Sequence, residues 1–155
     1  VYRITSTVEG DGWETWQPHE VVAAEAGETV PVRVYALAED GAADAARVTI
    51  TATSESDPSR SSTVTMWVGT ASGLVEAAGD LVDEMGLHRG TEARLQANLS
   101  QVEQRLERPT PAVCTALETF VHSVDARDGH RIGLSDEQAA ELRSIAHSLD
   151  IAIGC

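Results

Sequence analysis

The chain changes its hydrophobic rhythm once. Up to Val68 apolar residues recur at about every second position; from Leu74 onward they recur at helical spacing. Tyr2 and Ile4 open the first pattern, with Val8 beyond them, and Gly10-Asp11-Gly12 interrupts it before a short piece over 13–16 that Pro18 closes. Val21-Val22-Ala23-Ala24 is a brief apolar run ahead of a Gly27-Glu28 turn signal. Residues 29–37 then alternate, with Val30, Val32, Val34 and Ala36 on one face and Thr29, Pro31, Arg33 and Tyr35 on the other. Pro31 marks that strand as an edge or a strand start, because it has no amide to give to a ladder. Residues 46–53 and 63–68 alternate again, with Asp57-Pro58 in the turn between them. Several short strands separated by polar turns predict an antiparallel β-sandwich of the immunoglobulin-like (Ig-like) kind over 1–68.

The second rhythm predicts four helices. Leu74, Ala78, Leu81, Val82 and Met85 form the first stripe, which Gly86 stops. Leu95, Leu99, Val102 and Leu106 form the second, with Thr91 as its N-cap. Pro109 and Pro111 separate it from a third, carrying Val113, Leu117, Phe120, Val121 and Val124 and ending at Asp128-Gly129. The fourth opens on Ser135-Asp136-Glu137-Gln138, a capping box, and continues through Leu142, Ile145, Leu149 and Ile153. Short connections predict an up-down four-helix bundle. The expected organisation is therefore two small domains: the sandwich over 1–68, a linker over 69–73 and the bundle over 74–155.

Charge narrows the partners. The 155 residues carry 11 basic and 25 acidic side chains, a formal net charge of −14, and every basic residue is Arg. An acidic chain repels phosphate backbones, which argues against nucleic acid as a partner. No run of apolar residues is long enough to span a membrane. The Arg-only, Ala-rich, acidic composition points to a GC-rich genome, in keeping with a salt-tolerant source. Val1-Tyr2-Arg3-Ile4 resembles a strand already under way rather than an initiator or a signal peptide, so a fragment or a processed product is expected.

Two cysteines are present. Cys114 lies beside the core face of the third predicted helix and Cys155 follows the fourth. A structural disulfide between antiparallel neighbours is the expected state, with free buried thiols or redox chemistry as alternatives. Neither a CxxC spacing nor a nearby Cys/His cluster favours chemistry. A disulfide implies an extracellular, secreted setting.

No catalytic constellation emerges. Trp13 and Trp16, three apart on a strand, face opposite sides, so one is expected in the core and the other in solvent. Trp16 and Tyr35 are the candidates for stacking on a sugar ring. The histidines (His19, His88, His122, His130 and His147) show no HExxH and no converging set, although His122 and His147 could approach one another on neighbouring helices. Residues 125–136 fail the calcium-loop pattern at the third and twelfth positions, Arg127 and Asp136. The acidic loops with Glu39, Asp40 and Asp44, and with Glu55 and Asp57, read as solvated. No catalytic residue, no metal site and no cofactor is expected, and the chain reads as a non-enzyme.

The second half resembles the FIMAH module, a helical domain at the C-terminus of secreted bacterial proteins. The resemblance rests on Leu81-Val82-Asp83-Glu84-Met85-Gly86-Leu87, Gly90, Leu95, Leu99, Leu106, Ala116-Leu117-Glu118-Thr119-Phe120-Val121, Val124, Ala126-Arg127-Asp128-Gly129 and Ile132. Gly12-Trp13, Ala26-Gly27-Glu28-Thr29 and the 51–59 turn resemble the bacterial Ig-like or NEW3-like sandwiches that precede such modules. The resemblance implies a non-catalytic C-terminal accessory region of a secreted bacterial protein, a hydrolase, that spaces, stabilises or attaches it. Its partners would be the parent enzyme's own domains in cis. The alternatives are a module that binds polysaccharide or a cell surface, and a self-assembling structural module, against which Pro31 and Arg33 argue weakly.

Overall fold

A computed structural model describes residues 1–108, 110–129 and 133–155. The chain divides into two compact units, Val1–Val68 and Gly69–Cys155.

The first unit is built from β1 (Tyr2–Glu9), β2 (Trp13–Trp16), β3 (Val21–Val22), β4 (Tyr35–Ala38), β5 (Ala45–Ser54) and β6 (Ser61–Gly69). Four strands form one sheet in the order β3-β1-β5-β6, and β2 and β4 form a separate two-stranded sheet. The central pair is antiparallel and fully in register, from Tyr2 opposite Ser54 to Glu9 opposite Arg47. That register puts Ile4, Val8, Val48 and Ile50 on one face, and Ile4 and Val48 are buried there together with Ala46. Val64 and Met66 on the edge strand β6 remain exposed.

The Ig-like sandwich is thus corrected. Its second layer is only a four-residue ladder, and the long alternating strand over 29–37 shrinks to Tyr35–Ala38. The reason is local. Gly27 takes a left-handed conformation (φ +82°) in a turn closed by Glu28 N–H donating to the Glu25 carbonyl at 3.1 Å. Pro31 follows within the run and can donate nothing to a ladder. Alternation sets which way side chains point, but it cannot supply the missing amide.

The second unit holds α1 (Ala71–Glu84), α2 (Arg89–Glu103), α3 (Thr110–Asp125) and α4 (Asp136–Ile153). Contacts run α1–α2, α2–α3, α3–α4 and α1–α4. This half is corrected too: the structure shows a unit of four helices, and the regular up-down four-helix bundle is not shown. Phe120, Leu74, Leu95, Leu142, Ile145 and Leu149 are among the side chains that fill its core. Where a linker over 69–73 was expected, β6 runs to Gly69 and α1 begins at Ala71. Thr70 between them is the N-cap, its hydroxyl accepting from Gly73 N–H at 3.1 Å.

Three helix ends follow the sequence pattern to different degrees. Ser135 and Gln138 make the reciprocal capping box. At α2 the cap is His88 rather than Thr91: His88 Nδ1 accepts from Gly90 N–H, the helix starts three residues earlier, and Thr91 is buried inside the first turn. Leu106 lies in turns beyond α2 and is only half-buried. Pro109, His130 and Ile132 fall outside the described residues.

Candidate functional site

The feature that stands out on the first unit is the outer face of the β2–β4 ladder. Gly10-Asp11-Gly12 turns the chain out of β1, and the left-handed Gly12 (φ +73°) sits where a Cβ would lie 2.9 Å from the Ala42 backbone. The chain can therefore pass close to the 39–43 loop, and Ala43 N–H donates to the Asp11 carbonyl there at 2.9 Å. β2 then pairs antiparallel with β4, with Trp13 opposite Ala38, Glu14 opposite Leu37, Thr15 opposite Ala36 and Trp16 opposite Tyr35.

Period two separates the two faces. Trp13, Thr15 and Ala36 point inward and are half-buried. The Trp13 indole N–H donates to the Ala43 carbonyl at 2.7 Å. Ser6 Oγ lies 3.1 Å from Thr15 Oγ1 and 3.0 Å from Gln17 Oε1, and the Gln17 amide donates to the Ile4 carbonyl at 2.6 Å. The Ser6 and Gln17 bonds pin the small ladder onto β1, and the Trp13 bond ties it to the 39–43 loop. The outward face carries Glu14, Trp16, Tyr35 and Leu37, and the last three are 55%, 44% and 53% exposed. The Trp16 and Tyr35 rings are in tilted contact, with centroids 5.4 Å apart and planes at 37°. Solvation of so much apolar ring is costly, which makes a cluster of this kind more informative than a lone exposed Leu.

Beside Trp16 runs a shallow groove of about 440 Å³ with polar walls, among them Arg3, Thr5, Gln17 and Glu20. The stacking candidates Trp16 and Tyr35 are therefore brought together, as cross-strand neighbours. Glu14 and Leu37, which complete the face, were not singled out in the sequence. Counting two residues from Trp16 and from Tyr35 reaches both, but only once the β2–β4 pairing is known.

The second unit has a groove of about 570 Å³ between α3 and α4. Its floor is apolar, from Leu117, Val121 and Ala146, and the Cys114–Cys155 disulfide closes one end. The disulfide expectation holds: the two Cα atoms are 5.7 Å apart and no cysteine is free. His122 and His147 both line this groove. Among the described residues no group of three or more His, Cys, Asp and Glu could hold a metal ion. Asp125 and Asp128 are engaged by Arg143, Nε donating to Asp125 at 2.8 Å and Nη2 to Asp128 at 2.6 Å. Those hydrogen bonds, Asp128 first, hold the guanidinium more firmly in its charged form. In the acidic loops Glu55 is paired with Arg3 at 2.6 Å, and Asp57 accepts from Ser59 and Arg60.

Comparison with known proteins finds similarity for the first unit. Residues 1–70 match the model of a Peptidase M6-like domain. A protein of the fungus Arthroderma benhamiae, named "Putative secreted metallopeptidase", is 52% identical over 63 residues. That match covers 41% of this chain and 9% of the relative, so the chain spans a small part of the relative's length. No solved structure matches. These findings overturn the FIMAH and bacterial Ig-like resemblance, and with it the bacterial attribution, since the relative is fungal. Spaced Leu, Gly and Phe positions are what any small helical unit needs for its core, which is why they misled. The secreted, extracellular localisation expected from the cysteines stands, with a relative that is itself described as secreted and a disulfide in place. Among the described residues no helix is long and apolar enough to cross a membrane.

Proposed function

We propose that this chain is part of a secreted peptidase and serves it as a non-catalytic accessory region that spaces, stabilises or attaches the catalytic part. One observation carries the reading: the 63 residues that resemble a metallopeptidase amount to 9% of it. A metallopeptidase needs converging protein ligands and an open coordination position on its metal. The described residues do not fit such a centre: His122 and His147 share the α3–α4 groove, but no group of three or more ligands converges there or elsewhere among them. No hydrolytic step is therefore derived for this chain.

The direct test is to incubate the purified 155-residue chain with casein and a mixed peptide library, with added zinc and with a chelator. No cleavage is expected under either condition. Cleavage that the chelator abolishes would place the catalytic machinery in this chain and overturn the reading.

A further inference from the structure

We infer that the outer face of the β2–β4 ladder is a binding platform for a neutral, β-linked polysaccharide, with Trp16 and Tyr35 as the stacking residues. This rests on the geometry of the first unit alone and does not depend on the accessory reading.

Three properties of the face select this ligand. The first is shape. Two aromatic rings in contact, centroids 5.4 Å apart and planes tilted by 37°, leave about half of their surface open on one face. A β-linked glucose or N-acetylglucosamine unit keeps its ring hydroxyls equatorial and its C–H bonds axial, so its flat faces are apolar and dock on such a surface. Successive units in one chain match a row of rings. The second is the mixture of chemistry. Sugar hydroxyls project around the ring edge and need partners there. Glu14 shares the exposed face, and Thr5, Arg3 and Glu20 line the adjoining groove. The third is pre-organisation. Trp13, Thr15 and Gln17, on the pinned inner side, fix the ladder that carries the two rings, which are also in contact with each other.

Charge and size argue against other occupants. A chain with net charge −14 disfavours acidic glycans and anionic lipid surfaces. A ladder of two four-residue strands offers a face on the order of 150 Å², from a rise of about 3.4 Å per residue and a width of roughly 10 Å. A stable protein partner ordinarily buries about 800 Å² on each side. A polysaccharide chain can be held on a strip of this size, because a short run of sugar rings covers it.

The experiment uses the full 155-residue chain in pull-downs on microcrystalline cellulose and on chitin. Polygalacturonate in affinity gels is the anionic comparison, and light scattering runs in parallel. Retention is expected on at least one of the two neutral polymers, together with no retardation by polygalacturonate. Trp16→Ala should weaken retention at least about tenfold, and Tyr35→Ala by a smaller factor. Should Trp16→Ala unfold, Trp16→Leu keeps an apolar side chain at the site while removing the ring, and it should lose binding with an unchanged circular dichroism spectrum. Wild-type passage through both polymers would overturn the proposal, as would full retention by folded Trp16 variants. Concentration-dependent dimerisation that Trp16→Ala abolishes would also overturn it, assigning the face to a second copy of the chain. None of these outcomes bears on the casein assay, so the two readings fail separately.

Discussion

Cutting the Cys114–Cys155 bridge should destabilise the second unit far more than any single surface change. The two residues are 41 apart in sequence. In the chain-entropy account, closing a loop of that length removes about 4 kcal/mol of freedom from the unfolded chain. The native end of α4 is held by other contacts as well. Gly154 ends α4 in a left-handed cap, and the Gly154 and Cys155 amides both donate to the Asp150 carbonyl at 3.0 Å. α4 also keeps Leu142, Ile145 and Leu149 fully buried. The bridge therefore acts mainly on the unfolded state, and the double variant Cys114→Ser/Cys155→Ser should fold to the same helical content. For a unit of this size each kcal/mol shifts the midpoint by about 4–8 °C, so a fall of roughly 15–30 °C is expected. Thermal unfolding followed at 222 nm, where helices dominate the signal, reads this directly, and wild-type protein in dithiothreitol should reproduce it. A fall of only a few degrees in both would refute the loop-entropy reasoning. Loss of helicity at low temperature would show that the bridge shapes the native state.

Three further outcomes follow from particular residues. Phe120→Ala empties the largest fully buried side chain of the second unit and should cost about 3–5 kcal/mol in denaturant titrations; a cost below 1 kcal/mol would mean the site collapses freely. Gly12→Ala should cost more than Gly27→Ala: both glycines are left-handed, worth about 1–2 kcal/mol each, but only Gly12 would also push a Cβ against the Ala42 backbone. Equal costs in urea melts of the two variants would remove the argument from close approach. Asp57 accepts from the Ser59 hydroxyl at 2.6 Å, which with the Ser59 amide and Arg60 holds its carboxyl below the ordinary 3.8. A depressed carboxyl stabilises the fold above its unfolded value, and that contribution fades as the pH drops through the lower folded value. Carboxyl NMR titration should thus find Asp57 below 3.8 in the wild type and closer to it in Ser59→Ala, and an unmoved midpoint would discount the hydroxyl.

The two kinds of element differed in how far they could be read in advance. Helices declare themselves locally: the capping box at Ser135 and the stripe through Leu142, Ile145 and Leu149 depend on neighbours within a turn or two. The miss at His88 is instructive, because Thr91 has the better capping chemistry but is needed as a buried residue in the first turn. Strand partners lie far away in sequence. The β5 and β6 runs were legible because each alternates without interruption, whereas the 29–37 run was undone by one proline and one turn. The same distance rule governs the aromatic face. Trp16 and Tyr35 could be named as exposed candidates from period two, yet their contact, and the inclusion of Glu14 and Leu37, required a pairing between residues some twenty positions apart. What no periodicity could supply was ancestry. Core spacing in the helices mimicked one family, while the similarity to a different family lies in the first 70 residues.

The bridge has a mechanical consequence as well. Tension applied at Cys155 enters α3 directly at Cys114, so the rest of α3, the connector after it and α4 lie outside the load path while the bond is intact. A length of chain worth about 140 Å when fully drawn out stays stowed in the oxidised molecule, and it becomes available as slack only when the bond is reduced.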